Sequence, residues 1–174
     1  MTEDGNTEQQ GQTTPAATPV VVIVDPVESV RGEATRRIVN AGIFTIEQIQ
    51  RENMAAPSTL PYVRFTIPQS AEFDFTAQNR QSKTIILEFD IMTRSLTSTQ
   101  QAGQLAQKIE NAFGINDRTG ANRKISLPGW TGVSATVYKF GRGTAQTETD
   151  VSIFYLPVLL YVRLEVGYGA KYEV

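Results

Sequence analysis

Residues 60–67 read LPYVRFTI, and the period of that stretch decides the fold. Val63, Phe65 and Ile67 alternate with Tyr62, Arg64 and Thr66, the two-residue repeat of a strand with one buried face. Pro61 and Pro68 flank it, and proline cannot donate to a ladder, so pairing is confined to the residues between them. Upstream the period is helical. Asp25-Pro26-Val27-Glu28 predicts a helix over about 26–41: an N-cap carboxylate, proline at the first position, and an acid three residues after the cap to close a capping box. Val27, Val30, Ala34, Ile38 and Ala41 give that helix an apolar face. Arg36 and Arg37 oppose the negative end of its dipole, and Gly42 suits the left-handed cap. A second short helix is expected over 45–53, capped by Thr45 with Ile46 and Ile49 as its apolar positions.

Downstream the two-residue period continues. EFDFT at 72–76 predicts a short strand with Phe73 and Phe75 on one face, and AQNRQS at 77–82 a polar turn. TIILEFDIMTR at 84–94 predicts a long strand with Ile85, Leu87, Phe89 and Ile91 inward and Ile86, Glu88, Asp90 and Met92 on the other face. SLTSTQQAGQLAQKIENAFG at 95–114 is the clearest helix. Ser98 and Gln101 suit a capping box; Ala102, Leu105, Ala106, Ile109, Ala112 and Phe113 form one stripe; Gly114 ends it. A turn-rich loop at 116–124 and LPGWTG at 127–132 lead to the strand VSATVYKF, and a Gly/Thr-rich loop, GRGTAQTETD at 141–150, leads to SIFYLPVLLYVRLEV at 152–166. Both faces of that last strand are apolar around 156–162, so it is either central in the sheet or buried by another protein. Pro157 favours a bulge or an edge, and an apolar edge strand implies a partner.

Composition narrows the function classes. The 174 residues, 40% apolar, fit one domain at 20–174 preceded by a polar tail at 1–19 that has too few apolar side chains to order itself. VVVIV at 20–24 begins the folded part, as a short buried strand or a lead-in to the first helix. Histidine and cysteine are both absent, which removes disulfides, imidazole and thiolate zinc ligands, cysteine nucleophiles and every triad built on an imidazole base. The net charge is −2, but without Glu3, Asp4 and Glu8 sixteen basic residues face fifteen acidic ones, which leaves no electrostatic footprint for gripping nucleic acid. No Arg or Lys precedes Arg31, so the charged flank of a secretory leader is missing and a cytoplasmic site of synthesis is expected. The longest apolar run, IFYLPVLLYV at 153–162, falls short of the roughly 20 residues that span a bilayer as helix, and no membrane role is expected.

Candidate chemistry is sparse. Glu88 and Asp90 share one strand face about 6.6 Å apart, near the carboxylate spacing of inverting glycoside hydrolases, although alternation alone puts two charges on a solvated face. GRGT at 141–144 lacks the Lys-Ser/Thr of a phosphate loop and the third glycine of a dinucleotide fingerprint, and reads as a flexible hairpin loop. NDRTGAN at 116–122 lacks the spacing and the closing Glu of a calcium loop, and reads as a turn. Trp130 suits a core or interface anchor. The expectation is therefore a structural or interaction protein with no catalytic residues, no metal and no cofactor.

The order of helix, the polar turn and strand RENMAAPSTLPYVRFTI, a strand pair, the long strand LEFDIMTR and the helix TQQAGQLAQKIENAFG resembles the tail terminator proteins of long-tailed bacteriophages, over residues 25–114. The resemblance implies an α+β fold: a mixed, largely antiparallel sheet with helices packed on one face. It also implies a hexameric ring of this chain in the virion neck, assembled in the host cytoplasm. Such a ring caps the tail tube protein, stops polymerisation and joins the tail to the head-tail connector protein, while DNA passes through the channel without specific binding. Tyr62, Arg64, Arg142, Tyr155, Leu159 and Tyr161 are the candidate subunit or partner interface. A head-tail connector or head-closure ring subunit is the nearest alternative, and a small carboxylate-dependent hydrolase using Glu88 and Asp90 is the alternative from another class.

Overall fold

The computed structural model describes residues 25–68, 74–76, 80–94, 98–148 and 153–172. Helix α1 spans Pro26–Asn40, β1 Ile49–Gln50, β2 Tyr62–Thr66, β3 Asp74–Thr76, β4 Arg80–Arg94, α2 Ser98–Ala112, β5 Lys124–Ile125, β6 Trp130–Arg142, β7 Gln146–Glu148 and β8 Ile153–Tyr172. The fold is α+β. The eight strands form one sheet in the order β1-β2-β4-β8-β6-β5, with β3 on the edge of β4 and β7 on the edge of β8. Among the described residues only β1 and β2 run parallel, and the other pairings are antiparallel.

Local chemistry explains where α1 begins and ends. The Asp25 carboxylate accepts the Val27 N–H at 2.9 Å, which satisfies one of the donors a helix start leaves open. Glu28 pairs with Arg31 at 3.4 Å instead of closing a box on the cap. At the other end Gly42 takes a φ of +63°, the left-handed stop expected of it. Val30, Ala34 and Ile38 are buried, and they meet the α2 stripe of Ala102, Leu105, Ala106, Ile109 and Phe113 in one core. The Ser98–Gln101 capping box falls on side chains outside those described, as do the tail at 1–19, VVVIV at 20–24 and Phe73.

The sheet closes that core from the other side. Ile85, Leu87, Phe89 and Ile91 of β4 and Val158, Leu160 and Val162 of β8 are fully enclosed. Phe89 stacks on Phe65 of β2 at 4.4 Å between centroids and meets Phe113, the residue just past the end of α2, at 6.0 Å, so one ring ties two strands to the helix terminus. Arg37 of α1 donates to the carbonyls of Asn122 and Lys124 at 2.7 and 2.8 Å and lies over the Phe113 ring, which clamps the helix layer to the sheet edge. Burial lowers the Arg37 pKa, and the nearby Glu33 charge opposes that shift.

Three sequence expectations are corrected, and one left open is resolved. The helix expected over 45–53 is a single 3-10 turn, Ile46–Gln48, followed at once by β1. The Gln48 side chain turns back to accept the Thr45 N–H, and Ile49 then pairs with Val63; tertiary pairing overrides a marginal helix. Of the stretch 77–82 expected as a turn, residues 80–82 belong to β4, which begins at Arg80, and 77–79 lie outside the described residues. The loop at 141–150 is partly strand: Gly141 and Arg142 belong to β6, and Gln146–Glu148 form β7 against β8. Of the positions left open for the last strand, the central one holds: β8 lies between β4 and β6.

Pro157 sits in that central strand without breaking it. β6 ends opposite Val158 and β7 starts opposite Tyr155, so the missing proline donor falls where the neighbouring chain turns away. Gly143 approaches there and donates its N–H to the Pro157 carbonyl at 2.9 Å. A Cβ on Gly143 would come within 2.9 Å of the Pro157 ring, so only glycine fits against the proline without displacement.

Candidate interaction surface

Both helices share one core with one face of the sheet, and the alternation of strand side chains sends a second set to the other face. The registers place that second set in rows: Tyr62, Met92 and Tyr155; Arg64, Asp90 and Pro157; Thr66, Glu88, Leu159 and Gly141; Ile86, Tyr161 and Lys139. Tyr62 and Met92 are buried yet lie outside the core cluster. Tyr155, Pro157, Leu159, Tyr161 and Ile86 are only half-buried. Along β8 the run from 155 to 161 extends about 20 Å, and three strands add about 10 Å in width, an area of about 200 Å² in which half-buried apolar side chains stand among charged ones.

Charged groups sit among these side chains. Arg64 places both Nε and a terminal nitrogen on one Asp90 oxygen, at 3.0 and 2.7 Å. The other oxygen, Oδ1, is buried and has no hydrogen-bond partner among the described residues. The hydrogen bond to Asp90 raises the Arg64 pKa. Glu88 is shifted upward, first by burial and then by the charge of Asp90, with Arg64 opposing. Lys139 lies 4.8 Å from the Tyr161 ring centroid and Arg163 5.3 Å from that of Tyr138. Toward the far end of the strands the surface turns polar, with Tyr138 within 3.3 Å of the Thr84 hydroxyl and Ser134 donating to Glu165.

Five of the six residues expected at an interface are thus brought together: Tyr62, Arg64, Tyr155, Leu159 and Tyr161 share this face. Arg142 stands apart. It faces the helix layer, where it donates to both Glu110 carboxylate oxygens of α2 at 2.8 and 2.7 Å and reaches Gln107 at 3.4 Å. Met92, Ile86 and Pro157 complete the patch, and periodicity alone could place Ile86 and Met92 beside Glu88 but not beside β8. Tyr138 lies on the face by ordinary alternation from Val137, whereas Lys139 joins it only because the β6 register shifts between Val137 and Lys139, which no local pattern announces.

Chemically, the arrangement can bury apolar surface and align charges; Glu88 and Asp90 do share the face, but Asp90 is engaged by Arg64. Among the described residues no cluster of three or more acidic side chains gathers to hold a metal. Trp130, the first residue of β6, anchors the core rim: its indole N–H donates to Ser29 of α1 at 2.9 Å, and Tyr172 packs edge-on against it. Among the described residues no helix is long and apolar enough to cross a membrane.

No family model matches the chain, and no curated protein matches its sequence. Solved structures do match. One, whose given name describes no activity, superposes with a TM-score of 0.54 at 14% identity, over 79% of this chain and 94% of its own. That likeness is one of fold alone.

Proposed function

We propose that the chain is a structural subunit of a bacteriophage tail, six copies of which close into a ring that caps the tail tube, stops its growth and joins the tail to the head connector. The observation that carries this reading is the open sheet face, on which Tyr155, Leu159, Tyr161 and Ile86 stay half-exposed across the two central strands. A sheet whose described helices pack on one side and whose other side carries aromatic side chains is suited to contact with further protein. The resemblance of residues 25–114 to tail terminators supplies the class of assembly. A near-neutral domain also suits a channel through which DNA slides without being held.

The length distribution of tails, measured by electron microscopy on phage with this gene disrupted, tests the reading. Over-long headless tubes are expected. Tails of normal length beside full heads would move the role to the connector, and intact particles would overturn it.

A further inference from the structure

The two ends of the sheet differ in shape and in charge. At the β1 end, Ile46 is 48% and Met54 60% exposed, two of the largest apolar side chains left open among the described residues. They flank β1 from the turn before it and the turn after it. Between them Glu47 is exposed and has no ion pair among the described residues, and hydrogen bonds from its own N–H and from Thr45 favour its charged form. The segment 45–53 carries two acids, Glu47 and Glu52, and one base, Arg51.

At the β5 end the surface is concave. A groove of about 670 Å³ is lined by Lys124, Ile125, Leu127, Trp130, Val133 and Ala135. Lys124 is exposed at its lip and has no ion pair among the described residues. The segment 116–124 carries three bases, Arg118, Arg123 and Lys124, against one acid, Asp117. Both ends are strands of two residues, each paired with one strand among the described residues, and the Lys124 carbonyl at the β5 edge already accepts from Arg37, so side chains rather than open ladder groups make these ends distinct.

A ring requires two different patches on the same subunit, each fitting the other on a neighbour. We propose that these opposite ends are the two halves of that contact: Ile46 and Met54 of one copy seat in the groove between β5 and Trp130 of the next, with Glu47 against Lys124. This rests on the ring reading above and names its joint. The occupant is a second copy because projection and groove, acid and base, are present together on one chain at opposite ends of one sheet. The open sheet face is then left for the tail tube or the connector.

The absence of native cysteine permits a direct test on the full chain. Glu47 and Lys124 lie at opposite ends of the sheet, five strand spacings or about 24 Å apart, far beyond disulfide reach within one chain. A Glu47→Cys/Lys124→Cys variant, oxidised both free and on purified tails, is expected to give a cross-linked ladder extending beyond the dimer, whereas either single variant gives none. Glu47→Lys and Lys124→Glu should each raise the concentration for half-assembly by on the order of tenfold, and the pair together should restore it. Circular dichroism confirms folding, since both side chains are exposed. If native mass spectrometry shows a ring for the parent chain and the double-cysteine variant gives no ladder, the joint lies elsewhere and this inference fails while the ring stands. If the parent chain is monomeric both alone and on tails, the ring reading fails with it. Loss of tube binding by the charge variants with ring mass unchanged would assign the groove to the tube protein and also overturn the joint.

Discussion

Replacing Arg142 by alanine separates its structural role from the interface role expected from sequence. Its guanidinium makes two short hydrogen bonds to Glu110, whose side chain is 5% exposed, while that of Arg142 itself is 40% exposed. Removing one partner of a buried pair costs about 3–5 kcal/mol. Arg142 is half open, however, so water can reach the carboxylate once the guanidinium is gone, and the expected loss falls to about 1.5–3 kcal/mol. For a chain of this size that is roughly 3–12 °C in Tm. The assay is thermal unfolding of the Arg142→Ala variant beside an Arg142→Met/Glu110→Leu double variant. Exchanging both partners for apolar groups leaves no charge stranded, so the double variant should recover most of the loss. Ring formation by Arg142→Ala below its Tm should be unchanged. An unaltered Tm combined with lost assembly would refute the reasoning and return Arg142 to the subunit contact.

Phe89→Ala removes a fully buried ring that touches both Phe65 and Phe113, and should cost about 3–5 kcal/mol by chemical denaturation; a loss under about 1 kcal/mol would contradict the packing. Glu88 has its folded pKa raised above the ordinary 4.5, so the folded state holds its proton longer than the unfolded one, and stability falls as pH rises from 4.5 through the folded value. Glu88→Gln should therefore raise Tm at neutral pH and change little below pH 4.5, which a pH series of thermal melts checks. Asp117 is lowered from 3.8 to about 2 by hydrogen bonds led by the Thr119 hydroxyl and the Asn122 N–H, so its contribution is present above 3.8 and is lost as pH falls toward 2. The Tm gap between the parent and Asp117→Asn should close over that window. Gly143→Val forces side-chain atoms into the Pro157 ring and should lower Tm, while Gly143→Val/Pro157→Val should regain part of it; no loss in the single variant would rule out the close approach.

Much of the fold was legible because local and tertiary preferences agree. Asp25-Pro26 and Gly42 bound α1 by backbone chemistry that needs no partner, and the α2 stripe and the alternation of β4 each assign a buried face from period alone. Where they disagree, reading failed. Residues 45–53 have weak helical spacing, and the gain from pairing Ile49 with Val63 outweighs it. β7 is only three residues of Gln, Thr and Glu, which no propensity marks as a strand; it exists because β8 offers Ile153, Phe154 and Tyr155 beside it. Pro157 favoured a bulge or an edge while the two apolar faces of its strand allowed a central place, and the central place holds because the neighbouring chain departs at the proline. The open face was half legible: period-two patterns named its residues strand by strand, but the rows that unite Tyr62 with Tyr155 and Arg64 with Pro157 arise from long-range register. Arg142 shows the same limit, since its direction depends on how β6 meets β8 after a register shift.

The long ladder between β4 and β8 also has a mechanical consequence. Fourteen successive residues, Gln81 to Arg94, face Val166 to Ile153 without interruption, and β6 holds the opposite side of β8. Hydrogen bonds in such a pair lie across the strands. A pull directed along β8 therefore loads many of them in parallel, and the strand yields by shear only when they fail together. A pull across the sheet would peel them one after another at far lower force. An assembly that loads this subunit would be strongest with these strands aligned to the force.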